Sequence, residues 1–246
     1  MKKFFYIALL LIIFLVGCSR AKIMRAMTVE QKIEQADKYF AKRKYKVAAE
    51  YYSNIIYEKN SIFTPKAQMY LGDCYFHQNR FMDARFEYEE LARLFPDYEE
   101  INRAYYMIGV CFFDESIPAH YTQGDTRNAI DAFSSFIEKF PKDPLLPEAE
   151  KYLKKCTYKL LKKDYLNGYA YYKIYDYSAA LMYFEEIIAL DLDDNLDKKS
   201  LYYSTLIYLK RKNIDKAKII FTKLTRKYPD SKETFKAQKK IGKFKS

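Results

Sequence analysis

The residues with the most chemical potential in this chain are two histidines, three interior cysteines and a short acidic run. His77 and His120 are its only histidines. A zinc site needs three or four converging nitrogen, sulfur or oxygen ligands. His77, following Phe76 near the end of a predicted helix, is expected to face solvent or a groove, and His120 to sit exposed in a loop. Cys74, Cys111 and Cys156 form an odd, sparse set, which reads as small buried side chains rather than a disulfide framework. The run Asp191, Asp193, Asp194, Asp197 superficially resembles a calcium loop. Counted from Asp191, its sixth position is Leu196 where the loop needs glycine, and its twelfth is Tyr202 where it needs glutamate. A solvated turn is the expectation there. No GxSxG, glycine-rich phosphate loop or nucleophile–histidine pairing is present. These patterns predict a protein that is not an enzyme.

One cysteine stands apart. Lys2 and Lys3 precede thirteen apolar or aromatic residues, Phe4 to Val16, and the run ends in Leu15-Val16-Gly17-Cys18. The run is shorter than the roughly 20 residues of a membrane-spanning helix and has the form of an export signal. The last four residues match the bacterial lipobox, whose cysteine receives a diacylglyceryl thioether before cleavage. Residues 1–17 are therefore expected to be a cleaved signal, Cys18 the lipidated amino terminus, and 18–27 a short linker. Stable anchoring follows from more than one acyl chain. Ser19 at the next position resembles lipoproteins sorted to the outer membrane. The covalent lipid on Cys18 is the only cofactor implied. The formal charge of +11 points to solvated lysine faces, anionic headgroups or an acidic partner, and not to nucleic acid, because an exported lipoprotein does not meet the genome.

The elements that carry these residues repeat. The chain has 26 Tyr, 18 Phe, no Trp and only 6 Gly, a composition that suits packed helices better than turn-rich sheets. Leu71-Gly72, Tyr75, Ala84, Tyr88, Leu91 and Pro96 fall at positions 7, 8, 11, 20, 24, 27 and 32 of the 34-residue tetratricopeptide repeat. The second half recurs as Ala48, Tyr52, Ile55; as Ala129, Phe133, Phe136, Pro141; as Ala180, Phe184, Ile187; and as Ala217, Phe221, Leu224, Pro229. Alanine lets two antiparallel helices approach, and the aromatic one turn later fills the space beside them.

Eleven helices are predicted, over 28–43, 44–60, 65–78, 80–95, 98–114, 126–140, 147–175, 177–190, 198–211, 213–228 and 231–243. Thr28-x-x-Gln31 and Asp97-x-x-Glu100 read as capping boxes, Thr64-Pro65 as a cap followed by proline, and Asp230 with Glu233 as the start of the last helix. The alanines lie 36, 45, 51 and 37 residues apart, so the middle is stretched. Residues 114–125 are expected to be an inserted loop, and 147–175 one overlong helix in which Gly168 is either the usual small residue or a kink. The fold class expected is all-α: a superhelix of about five tetratricopeptide-like hairpins plus a C-terminal capping helix. Units one to three span 28–146, and units four and five with that helix span 147–246.

With lipobox, five units and the loop in one order, the chain resembles the BamD family of lipoproteins of the bacterial outer-membrane β-barrel assembly machinery. Asp125 to Pro141, with Ala129, Ala132-Phe133, Phe136 and Phe140-Pro141, resembles the family's third repeat. Tyr171-Tyr172, Tyr177 and Ala179-Ala180 resemble its fourth. The resemblance implies an outer-membrane scaffold facing the periplasm that binds a BamA-like barrel protein and unfolded β-barrel precursors. The stretch at Tyr183 or its neighbours departs from it, since the family often carries a basic residue there. A different exported repeat lipoprotein, pilotin-like or a cell-envelope coordinator, is the alternative. Tetratricopeptide positions 2, 5, 9, 12 and 13 point into a binding groove. Carried onto this chain they give Asp37 and Phe40, then Met69, Asp73, Phe76 and His77, then Arg103, Tyr106 and Phe113. Aromatic and charged side chains together suit an extended peptide. Units four and five, with the basic stretch Lys236 to Lys245, are expected to dock the assembly machinery.

Overall fold

The computed structural model describes residues 24–58 and 61–242, which consist of helices and turns with no strand. Cys18 and the predicted signal lie outside the described residues. The helices are α1 Val29–Ala41, α2 Tyr45–Tyr57, α3 Thr64–Phe76, α4 Phe81–Leu94, α5 Ile101–Glu115, α6 Gly124–Lys139, α7 Leu146–Lys173, α8 Tyr177–Ala189, α9 Asn195–Lys210, α10 Ile214–Lys227 and α11 Lys232–Gly242. The described residues divide into two compact units. One holds those up to Ser116 with Arg127–Leu153, the other Ile117–Thr126 with Lys154 onward. The division falls inside α7 rather than before it, and the inserted loop groups with the second unit.

Within each unit, sequence neighbours pair: α1 with α2, α2 with α3, α3 with α4 and α4 with α5 in the first, α8 with α9, α9 with α10 and α10 with α11 in the second, where α9 also meets α11. All five spaced alanines, Ala48, Ala84, Ala129, Ala180 and Ala217, are fully buried. Glycine serves the same close approach one helix earlier. A Cβ on Gly72 would lie 2.5 Å from the Tyr88 ring, and one on Gly168 would lie 3.0 Å from the Phe184 ring. Gly168 is thus the small residue of its repeat, within a continuous 28-residue helix.

Four hairpin turns share one construction. The N–H groups of Lys44, Arg80, Asp176 and Asn213 each donate to a tyrosine carbonyl five residues back, those of Tyr39, Tyr75, Tyr171 and Tyr208. This is the six-to-one bond of a Schellman ending. It requires a left-handed residue, filled here by Arg43, Asn79, Tyr175 and Lys212 at φ of 55°, 58°, 67° and 58°. None is glycine, so each turn carries a local strain of about 1 kcal/mol that packing offsets.

The caps agree with the sequence in part. Thr28 and Gln31 form the expected box, with reciprocal bonds of 3.0 and 3.3 Å. Asp97 and Glu100 do not form a capping box: α5 begins at Ile101, and its N-cap residue Glu100 makes no side-chain capping bond. Thr64 lies inside α3 and its hydroxyl is buried without a partner. At α11 the cap is Ser231, whose Oγ accepts from the Thr234 N–H at 3.1 Å. Asp194 accepts from the N–H groups of Leu196 and Asp197, which starts α9 three residues before the expected place. The inserted loop is shorter than expected, because α5 runs to Glu115 and α6 starts at Gly124. Gln123 organises it. Its Nε2 donates to the carbonyls of Pro118, Tyr121 and Thr122 at 3.0–3.1 Å, and its Oε1 accepts from Thr126 at 2.8 Å.

Candidate peptide-binding face of the first unit

The first helices of the opening repeats, α1, α3 and α5, are tied together by a motif that occurs twice. Asp37 of α1 accepts from the Tyr52 hydroxyl of α2 and from Lys66 of α3, both at 2.7 Å. One repeat later Asp73 of α3 accepts from the Tyr88 hydroxyl of α4 at 2.7 Å and from Arg103 of α5 at 2.5 Å. Each carboxylate thus binds its own hairpin and the next one. Burial pushes the Tyr88 hydroxyl well above its ordinary range, and Asp73 raises it further. Burial works against the Arg103 charge, but Asp73 overrides it and holds the guanidinium more firmly protonated. The later repeats have no acid at the corresponding place: Val110, Tyr169 and Leu206 stand there, and Phe133, Phe184 and Phe221 replace the tyrosine. Hydroxyl and carboxylate come and go together, as a buried donor and acceptor must.

On this frame sits an aromatic cluster. The Phe40 ring lies 5.2 Å from Tyr70, 5.4 Å from Tyr45 and 6.0 Å from His77. Tyr45 and the exposed His77 stack at 4.3 Å with their planes 17° apart. Lys66 and Arg103 flank the Tyr70 ring at 5.6 and 5.8 Å. A second cluster follows along α5, where Tyr106 meets Phe136 and Tyr152 edge-on at 5.8 and 6.3 Å and Phe113 meets Tyr152 at 4.9 Å. Such a surface can take apolar side chains on its rings and backbone carbonyls or carboxylates on its cations.

The structure brings Asp37, Phe40, His77 and Arg103 to one region and leaves each partly or fully exposed. Phe76, Tyr106 and Phe113 are partly buried, Phe76 edge-on to Phe81 at 5.3 Å. Two of the nine expected groove residues are not surface. Met69 is fully buried and packs with Ala84, Tyr88 and Leu91. Asp73, at 3% exposure, is consumed by Tyr88 and Arg103. Tyr70 and Tyr45 fall outside the positional rule. Lys66 falls within it, at the same repeat position as Arg103 37 residues on, although it is not among the nine expected residues. Tyr45 belongs to the second helix of its hairpin.

Elsewhere the acidic run is more than a solvated turn. Asp191 is exposed, but Asp197 has no exposed surface; it accepts from Lys227 at 2.7 Å and from the Tyr228 hydroxyl at 2.9 Å. Burial raises the thiols of Cys74 and Cys156 to about 12 and about 11, so both are protonated, weakly reactive core side chains. Tyr183 stacks on Tyr171 at 5.9 Å.

Two family profiles described as tetratricopeptide repeat match the chain, one over residues 33–99 and the other over 103–143 and 199–231. The outer membrane protein assembly factor BamD of Rickettsia prowazekii (strain Madrid E) is 26% identical over 192 residues, covering 78% of this chain and 76% of that protein. Among solved structures, the TPR2AB domain of yeast Sti1 aligns at 16% identity and a TM-score of 0.46, over 88% of this chain and 85% of that one. PilF of Pseudomonas aeruginosa aligns at 16% identity and a TM-score of 0.42, over 92% and 91%. Among the described residues no helix is long and apolar enough to cross a membrane.

Proposed function

We propose that this chain, which belongs to the tetratricopeptide-repeat family, is a protein-binding scaffold serving outer-membrane β-barrel assembly. The relation to BamD over 78% of the chain supports this most directly. It agrees with the Leu15-Val16-Gly17-Cys18 sequence, which supports lipid attachment at Cys18 and a periplasm-facing position on the outer membrane. In this reading the first unit receives unfolded β-barrel precursors. Apolar side chains of the precursor rest on Phe40, Tyr70 and the Tyr45–His77 stack, while Lys66 and Arg103 donate to its carbonyl or carboxylate groups. The Asp–Tyr–cation links hold α1, α3 and α5 in fixed register, so little ordering is left for binding to offset. A BamA-like barrel protein is the second partner.

Affinity purification of the tagged full chain from solubilised envelope tests the reading. A barrel-forming assembly protein should co-elute, and depletion should lower many different outer-membrane barrels together. Loss of pili or a division defect with barrel levels unchanged would instead support a pilotin-like or envelope-coordinating lipoprotein. Metabolic fatty-acid labelling should mark the wild type and not Cys18→Ala.

A further inference from the structure

The end of the second unit carries a surface that the repeat pattern does not require. α9 presents Tyr202, Leu206 and Leu209 at steps of four and three residues, which is one stripe of a helix. Tyr202 lines a cavity of about 420 Å³ together with Lys236, Lys239 and Lys240 of α11. A second cleft of about 200 Å³ shares Lys240 and is lined by Leu206, Leu209, Tyr172 and Lys210. The two share Lys240, and between them they offer an apolar floor and a cationic wall. The floor is fixed, because Leu209 is 3% exposed and Tyr172 lies 4.9 Å from the Tyr203 ring, which stacks on Phe184 at 5.8 Å.

The wall is uncompensated. Lys210, Lys236, Lys239 and Lys240 are all exposed, and none pairs with a carboxylate among the described residues. Lys236 and Lys240 are one turn apart on the same helix, an arrangement of like charges that destabilises it. The one acid of α11, Glu233, lies in its first turn, close enough to help raise the Tyr202 hydroxyl after burial has done so. An anionic ligand would relieve the repulsion.

We infer that this groove binds an acidic segment of a partner protein, with one apolar side chain on Tyr202, Leu206 and Leu209 and flanking Asp or Glu carboxylates on the lysines. The larger cavity, about 420 Å³, falls within the roughly 300–1,000 Å³ of ordinary ligand sites, and the apolar floor has no use for a small anion. The lysines line a concavity instead of a flat face, which favours a peptide over a membrane surface. The inference rests on the scaffold reading only in taking this unit to hold a partner.

The test is fluorescence anisotropy of the full chain with a labelled peptide bearing one Phe among Asp and Glu residues, beside the same peptide with Asn and Gln. The acidic peptide should bind, weaken as salt rises, and lose about tenfold in affinity for Lys236→Gln/Lys240→Gln, the effect of two exposed charge contacts. Leu206→Gln should also weaken it, and Phe40→Ala, in the other unit, should not. Equal binding of both peptides, or unchanged affinity in the double lysine variant, overturns the inference. So does lysine-dependent binding to phosphatidylglycerol vesicles without lysine-dependent binding of the peptide. Peptide binding without a co-purified barrel protein sinks the assembly reading and leaves this groove standing. A co-purified barrel protein with lysine-independent peptide binding does the reverse.

Discussion

The Asp73–Tyr88–Arg103 link can be removed in two ways that differ only in what they leave behind. Tyr88→Phe deletes a hydroxyl that donates to a carboxylate at 2.7 Å, a charged hydrogen bond worth about 1.5–3 kcal/mol. Asp73→Val leaves that hydroxyl with no acceptor at a position with no exposed surface, and it takes one partner from Arg103. The guanidinium is about one-third exposed and keeps Glu100 at 3.2 Å, so most of the expected loss, about 2–4 kcal/mol, comes from the stranded hydroxyl and the broken pair. The double variant Asp73→Val/Tyr88→Phe recreates what the next repeat has, Val110 with Phe133. Donor and acceptor then vanish together, and the cost should fall to about 1 kcal/mol. Urea unfolding followed by far-UV circular dichroism, across wild type, both single variants and the double, measures the coupling, expected at about 2 kcal/mol or more. If the two single losses add to the double within about 0.5 kcal/mol, the link is not the cooperative unit described above.

Other outcomes follow from single contacts. Burial first, then Glu90 and Asp83, raises the Glu87 carboxyl to about 7. An acid raised in the folded state gives its stability below its unfolded value near 4.5 and loses it as pH climbs through 7. Glu87→Gln should therefore exceed wild type by about 1–2 kcal/mol near pH 8, a figure reduced for partial exposure, and match it near pH 4; a pH-independent difference contradicts this. Gly72→Ala drives a methyl into the Tyr88 ring and should cost about 1–3 kcal/mol, while Gly124→Ala, which meets nothing within 4 Å, should stay within about 0.5. Equal denaturation midpoints for these two would show the glycine–aromatic contact to be slack. Phe40→Ala with His77→Ala should weaken binding of an unfolded barrel-precursor peptide in calorimetric titration while the protein still co-purifies its barrel partner. Asp197→Asn weakens the links to Lys227 and Tyr228 and should lower stability by about 2–4 kcal/mol, read by thermal unfolding.

The starts of α5 and α9 lie three residues from their expected places, but how the hairpins repeat and which alanines sit at crossings were legible in the residue order. Those features depend on contacts within one hairpin, where a 3.6-residue period and a nearby Ala or Gly leave few arrangements open. Position within a repeat also indicated the direction in which Phe40, His77 and Met69 point from their own helices. It did not decide which of them meets solvent, because that depends on the neighbouring helix. Met69 is sealed by Tyr88 and Leu91, and Asp73 is occupied by Arg103, thirty residues on. Asp197, which reads as a turn residue, is buried because Lys227 at the end of α10 and Tyr228 just after it arrive to satisfy it. The lysine groove has the same origin: Tyr202, Leu206 and Leu209 look like ordinary residues of a hairpin's first helix until α11 lays Lys236, Lys239 and Lys240 beside them. A local period carries no information about the angle at which two distant helices cross, and it is that angle which turns a stripe of residues into core, ion pair or groove.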